Sequence, residues 1–354
     1  MKTAFARRAG QQGTGLVEVM IGLVIGMLMV LVIFQVYQVN ESQKRTITGG
    51  SDAQQNAAYG LFLLGRDIST AGNAVAAAAT ALDGCALLRP LPVVIAAGAT
   101  DAIPDTVTVF YGGSSSLSTP VAFINNATID GTNAGPYQVA SPVGFSVNDI
   151  VAAVQGTNCT LSQVTAVTYP ANPPVGNGIA TITHTPIAGN MEVTYNAVNA
   201  GLVNLGPAAS PGQDGPLARL QYSVDATTNT LISQNLLPTA AAASPVVSDV
   251  VNLKAQFGLD TDNDGTIDTW QPATGTWSSA NLPLQPLATL QQIRAVRVAI
   301  VTRSADYERD VVTPGPLLMF DGAVSMNLTA DQQHYRYKVF ETIVPLRNAV
   351  WNAS

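Results

Sequence analysis

An apolar run from Leu16 to Val39, broken near its start by a single carboxylate, Glu18, constrains this chain more than any other feature. About 20 residues cross the hydrocarbon of a bilayer as a helix, so the run reads as one membrane helix. A carboxylate in hydrocarbon costs at least a few kcal/mol on insertion scales and is kept where it has a partner or a task. Glu18 is therefore read as functional, and the rest of the chain must say what its partner is. Residues 1–13, MKTAFARRAGQQG, carry Lys2, Arg7 and Arg8 and no acid, which by the positive-inside rule holds this end in the cytoplasm and sends the remainder out. No A-x-A pattern follows the apolar run, so ordinary signal-peptide cleavage fits poorly.

Composition narrows the function classes. Charged residues are 11% of the 354 and the formal net charge is −7, against a nucleic-acid binder, which needs a basic face to neutralise phosphates. Abundant Ala, Thr, Ser, Asn, Gly and Pro with scarce Lys suit an exported, turn-rich β protein. In an oxidising compartment Cys85 and Cys159, the only cysteines, have one possible connectivity and are expected to form a disulfide. With only His184 and His334, a Cys/His zinc site would need scattered ligands. G-x-S-x-G, G-x-x-x-x-G-K-[ST] and H-E-x-x-H are absent, both histidines read as structural or surface residues, and Gly112–Ser116 reads as a loop rather than a phosphate cradle. No enzyme is expected.

Along the chain, Asn40–Thr48 is polar and Gly49-Gly50 is expected to loosen or break the helix, each glycine costing about 1 kcal/mol. Ala57, Leu61, Leu64, Ile68 and Ala71 then recur at helical spacing as a stripe that can lie on a sheet, and Gly72-Asn73 supplies a stop. The Ala-rich stretches at Ala74–Ala81 and Ala240–Ala243 read as a helix end and a loop. Short β-prone runs follow, separated by turn residues: Val93–Ala97, Asp105–Tyr111, Val151–Val154, Ile179–His184 and Met191–Tyr195. Val296–Val301 and Tyr335–Val344 read as partner strands, with Arg347-Asn348 beyond them open to pairing, capping or a solvated strand end. No internal repeat is evident.

The N-terminal pattern, a short basic leader ending in Gly, four residues, Glu, then a long apolar helix, resembles the class III signal of type IV pilins and pseudopilins. The resemblance implies cleavage by a prepilin peptidase between Gly13 and Thr14, methylation of Thr14, and a registering role for Glu18, now fifth in the mature chain. A new ammonium and a carboxylate in hydrocarbon offset each other's desolvation when paired. Many pilins begin the mature chain with Phe where this one has Thr14 and Gly15. Gly22 and Gly26 form G-x-x-x-G, which permits close helix approach. Four further stretches, Leu64–Gly72 (LGRDISTAG), Gln256–Gly265 (QFGLDTDNDG), Ile293–Ile300 (IRAVRVAI) and Phe340–Asn348 (FETIVPLRN), are similar, in the same order, to those of PilW-type minor pilins.

Asp260-Thr-Asp262-Asn-Asp264-Gly265-Thr266-Ile-Asp268 is the strongest polar motif, because oxygen ligands at alternate positions converge on one cation where Gly permits a sharp turn. It follows an EF-hand loop through its ninth position, with Gln271 where an EF-hand has Glu and no flanking helical pair, so a β-hairpin loop fits better. Calcium, Ca2+, is expected there on Asp260, Asp262, Asp264, Thr266 and Asp268; the competing reading is a plain Asp-Gly turn. The expected fold is α+β: a leader (1–13), a long helix whose first half (14–39) is transmembrane and whose second half (40–73) is periplasmic and amphipathic, and a β-rich periplasmic head (74–354). The head has a variable middle, about 80–245, and a C-terminal region, about 246–354. The expected function is that of a minor pilin that primes pilus assembly and joins the filament near its tip. Expected partners are the prepilin peptidase, other minor pilins, the major pilin, the inner-membrane platform and membrane lipid. The rival readings are a minor pseudopilin of type II secretion, a pilus-borne adhesin or ligand-binding module, and a membrane-anchored hydrolase.

Overall fold

The computed structural model describes residues 15–73, 79–85, 91–113, 119–131, 133–141, 143–168, 179–207, 217–237 and 242–350. Gly13, Thr14, the leader, Ala74–Val75 and the rest of 74–78, Ser114–Ser116 and Ala240–Ala241 lie outside them. The chain divides into two compact units, Met1–Asp52 and Ala53–Ser354. The described part of the first is helical, and every residue from Gly15 to Gln38 is exposed. The helix runs Leu16–Thr70, through Gly49-Gly50, where it was expected to loosen or break; it does not break. A glycine lowers helix stability but still takes its place in the ladder, and long helical runs on either side propagate one bond per residue at little cost.

In the second unit the stripe behaves as its spacing requires. Ala57, Leu64, Ile68 and Ala71 are fully buried and Leu61 half-buried. Gly72 ends the helix at a positive φ of +79°, where its missing side chain also leaves room for the Pro92 ring; any larger residue would be strained there.

Two antiparallel sheets receive the stripe. One runs in the order Val93–Ala96, Thr106–Tyr111, Ala218–Asp225, Thr230–Asn235, Ser244–Val247. The other runs Thr269–Pro272, Val250–Leu259, Ile293–Arg303, Tyr337–Pro345. Val107, Val109, Leu220 and Leu231 of the first and Leu253, Phe257, Val296, Val298 and Ile300 of the second share one core with the helix. The expected pairing of the last two long strands is present, Ala295 opposite Pro345 through Arg303 opposite Tyr337.

Between Tyr111 and Ala218, which are direct cross-strand partners, the chain leaves this core and returns to it. The excursion builds a six-stranded sheet with Asp149–Gln155 and Asn158–Thr168 at its centre and a three-stranded sheet around Ala127–Asp130. Period-two alternation gives the central strand two buried faces. Ile150, Ala152 and Val154 join Leu82, Phe110 and Leu217 on one side, while Val151 and Ala153 join Tyr137, Ile182 and Tyr195 on the other. Cys85 and Cys159 form a disulfide that ties the short helix Ala79–Leu82 to this sheet, closing 74 residues of chain.

His184 sits in the second of these layers. Its ring stacks on Tyr137 with centroids 3.5 Å apart, and Nε2 meets the carbonyl oxygen of Gly135 at 3.1 Å, while the buried Nδ1 has no partner. Burial pushes the imidazole down to about 4 from its ordinary 6.5. Because the folded pKa lies below the unfolded one, the unfolded chain takes up the proton first. The neutral ring contributes its full stability above pH 6.5, and the contribution is lost as pH falls from 6.5 towards 4. The difference is about 3 kcal/mol. Denaturant unfolding of the wild type and of His184→Gln is expected to show the wild type losing more stability over that window, and parallel curves would contradict this.

Candidate functional site

Glu18 stands in the first turn of the long helix, with its backbone N–H donating to the Gly15 carbonyl at 2.9 Å. An acid there is favoured by the helix dipole. Leu16–Gln38 is long and apolar enough to cross a membrane, and its large side chains are about half exposed or more, from Val30 at 49% to Leu16 at 77%. A Cβ built at Gly22 or Gly26 would meet open space, so these residues lie on an uncovered surface.

The Asp-rich segment is a hairpin loop, as expected: Leu259 pairs with Thr269, and Asp260–Asp268 turns between them. Gly258 lets the Trp270 indole cross the hairpin, since a Cβ would come within 2.8 Å of that ring. Asn263 at φ +61° and Gly265 at φ +90° make the turn. Asp260 is completely buried and organises the loop. Its Oδ1 accepts the N–H of Asp264 at 3.2 Å, and its Oδ2 accepts the N–H of Gly265 at 3.1 Å and Nε of Arg294 at 3.1 Å. Arg294 also donates to the Asn263 side chain at 3.2 Å, and its Nη1 has no partner. One carboxylate oxygen each from Asp260, Asp262 and Asp268 lies within 4.8 Å of the others. Asp264 is not in that group; its Oδ1 accepts the N–H and hydroxyl of Thr266 at 2.7 and 2.5 Å. Asp268 is tied to Thr261, whose hydroxyl and N–H hold its carboxyl below the usual carboxylate range.

The widely separated stretches Leu64–Gly72, Ile293–Ile300 and Phe340–Asn348 meet in space. Val344 packs 3.7 Å from the Gly65 Cβ position and Ile300 3.3 Å from that of Gly60. Asn348 caps the helix, its Nδ2 donating to the carbonyls of Thr70 and Ala71 at 3.1 Å, which satisfies acceptors that a helix end leaves bare. Of the readings open for Arg347-Asn348, pairing, capping or a solvated strand end, capping by Asn348 is the one observed.

Asp67, buried at 2% exposure beside Ile68, accepts the Tyr222 hydroxyl at 2.5 Å and Arg66 Nε at 2.7 Å. Burial, reinforced by the Asp67 charge, pushes the Tyr222 phenol well above its ordinary range, so Tyr222 remains the donor. Sequence reading missed Tyr222, though an acid inside the helical stripe was a signal that a buried partner existed. It also missed the buried pair of Lys254 and Asp105 at 2.9 Å. Arg297, stacked between Trp270 and Phe320 at 4.9 and 4.6 Å, gave no sign at all in the sequence.

Breaking one side of a buried ion pair costs more than the pair is worth, because the other charge stays buried. Arg294→Ala is expected to destabilise the chain by about 3 kcal/mol, and Asp260→Asn combined with Arg294→Met to recover most of that loss. Denaturant midpoints of the single and double variants in detergent would check both.

Residues 221–348 match the family model described as Type IV Pilus-assembly protein W. No curated protein and no solved structure shows significant similarity to the chain. The matched span holds Tyr222, the Asp-rich hairpin, Arg294 and the helix-capping Asn348, and over these residues the match supports a PilW-type type IV pilus protein.

Proposed function

We propose that this protein is a minor pilin: its leader is removed by the prepilin peptidase between Gly13 and Thr14, and it enters an inner-membrane complex that primes filament assembly. The observation that carries the reading is a wholly exposed apolar span, Leu16–Gln38, headed by Glu18, on the same helix that a PilW-matching region caps and covers at its far end. In this reading the new ammonium at Thr14 and the Glu18 carboxylate register the subunit against a neighbour, each offsetting the other's desolvation. Gly22 and Gly26 give the neighbour's helix close access. The partners are other minor pilins, the major pilin and the inner-membrane platform, with lipid around the helix and the head in the periplasm until the subunit enters the pilus.

The test is N-terminal peptide mapping of the protein from its native membrane, with and without the peptidase. The expected outcome is a chain starting at Thr14, methylated, only when the peptidase is present; retention of Met1 in both would remove the pilin reading. Glu18→Ala is expected to leave cleavage intact and to lower incorporation into pili sharply, as read by the subunit's abundance in sheared filaments.

For the hairpin loop we propose calcium, with Asp260, Asp262 and Asp268 as carboxylate ligands and Asp264 and Thr266 completing the shell. Asp260, Asp262 and Asp268 support this by each bringing one carboxylate oxygen within 4.8 Å of the others. A divalent cation would relieve the repulsion among clustered acids. Calorimetry of the chain in detergent is expected to show heat on adding calcium and a rise in melting temperature, both lost in Asp262→Asn combined with Asp268→Asn. The absence of heat in the wild type would reduce the loop to a turn.

A further inference from the structure

Edges of β-sheets carry unpaired N–H and C=O groups and are usually blunted by shortness, proline or bulges. This protein blunts nearly all of its edges. The outermost strands of the first, six-stranded and three-stranded sheets are two to four residues long. Thr269–Pro272 is four residues long and ends in proline. Three longer strands overrun their short neighbours: Ala180–Gly189 and Gly201–Pro207 carry register shifts and the prolines Pro186 and Pro207, and Val250–Leu259 is met by Asp105, whose N–H donates to the Leu253 carbonyl and whose carboxylate accepts the N–H of Ala255. Among the described residues, Tyr337–Pro345 is the exception: an edge strand of nine residues, in unbroken register with Ile293–Arg303, whose one proline is its last residue.

The direction of its hydrogen bonds can be read from its ends. Leu346 donates to the Arg294 carbonyl at 2.8 Å, and Ser304 donates to that of Arg336 at 2.8 Å. In an antiparallel ladder the bonded pairs alternate. Even-numbered residues therefore bond inward to the neighbouring strand, while Tyr337, Val339, Glu341 and Ile343 direct N–H and C=O outward. Such a row is complemented by an extended polypeptide, which supplies alternating donors and acceptors at the strand spacing.

Charge selects among polypeptides. Pairing two copies of this edge about a two-fold axis near its centre sets Glu341 opposite Glu341, or puts the two carboxylates on neighbouring positions of one face, and like charges so placed are destabilising. Ile343, at 60% exposure, lies on the same side as Glu341, whose carboxylate accepts the Phe320 N–H at 2.6 Å, while Val339 and Tyr337 on that side pack against the cluster of Met319 and Phe320.

We propose that the outer edge of Tyr337–Pro345 receives an extended segment of a different polypeptide of the pilus machinery by strand addition, apolar beside Ile343 and with no acid opposite Glu341. The proposal rests on the assembly reading for where that partner is found, and its test separates the two.

A photo-cross-linking residue is placed at Ile343, at Lys338 and, as a control, at the 75%-exposed Leu284 in the full-length protein in its native cells. The expected result is one partner polypeptide cross-linked from both strand positions and not from Leu284, at partner sites spaced as the two probes are. Val339→Pro removes an outward N–H without touching the inward ladder; it takes Val339 off the cluster of Met319 and Phe320 and so lowers the melting temperature, and in the folded protein it is expected to reduce the adduct to the control level. Ile343→Pro, probed from Lys338, repeats the test if Val339→Pro does not fold. An adduct with a second copy of this chain, no adduct at either strand position, or an adduct indifferent to both prolines would overturn the proposal. If the adduct behaves as expected but deletion of the gene leaves piliation unchanged, strand addition stands and the assembly reading falls.

Discussion

Burial of one helical stripe against two sheets at once is the interaction on which the second unit depends. Leu64, Ile68 and Ala71 are fully buried in one core with residues of both the sheet of Thr106–Tyr111 and that of Ile293–Arg303. Neither sheet has another described layer over that face, and each fully buried large aliphatic side chain contributes on the order of 2 kcal/mol. Asp67 then fixes the helix rotation: its carboxylate, placed inside the stripe, has a low-cost position only where the Tyr222 hydroxyl reaches it. Apolar contacts supply most of the energy, and one charged hydrogen bond supplies the register.

The same interface joins the helix end to the last strands of the region, 221–348, that matches the family model. Leu64–Gly72 and Phe340–Asn348 are separated by most of the chain, yet Asn348 closes the carbonyls that Thr70 and Ala71 leave open. The C-terminal strands are shaped to a helix end and carry residues only that end requires. The six-stranded sheet between them answers to no such requirement, because it is stabilised by two cores of its own, one of them shared with Phe110 and Leu217.

How much could be read beforehand follows from the range of each interaction. The helical stripe, the Gly72 stop, the partner strands at Val296 and Tyr335 and the hairpin around the aspartates are local patterns, and periodicity and turn chemistry are local signals. The disulfide was legible because two cysteines have one pairing. Tyr222, Lys254 with Asp105, and Arg297 between Trp270 and Phe320 were not, since each depends on residues brought together only by sheet order, which period-two alternation does not encode. Gly49-Gly50 misled for the opposite reason: a local penalty of about 1 kcal/mol per glycine was outweighed by the helix on both sides.

Tyr111 and Ala218 face each other across one ladder rung, so the excursion between them begins and ends about 5 Å apart. Closing a longer or shorter excursion over so small a gap changes the folding free energy only logarithmically, by about 0.6 kcal/mol per doubling of length. The surface that this chain carries on its helix-and-sheet base can therefore be exchanged, enlarged or trimmed over generations without renegotiating the base.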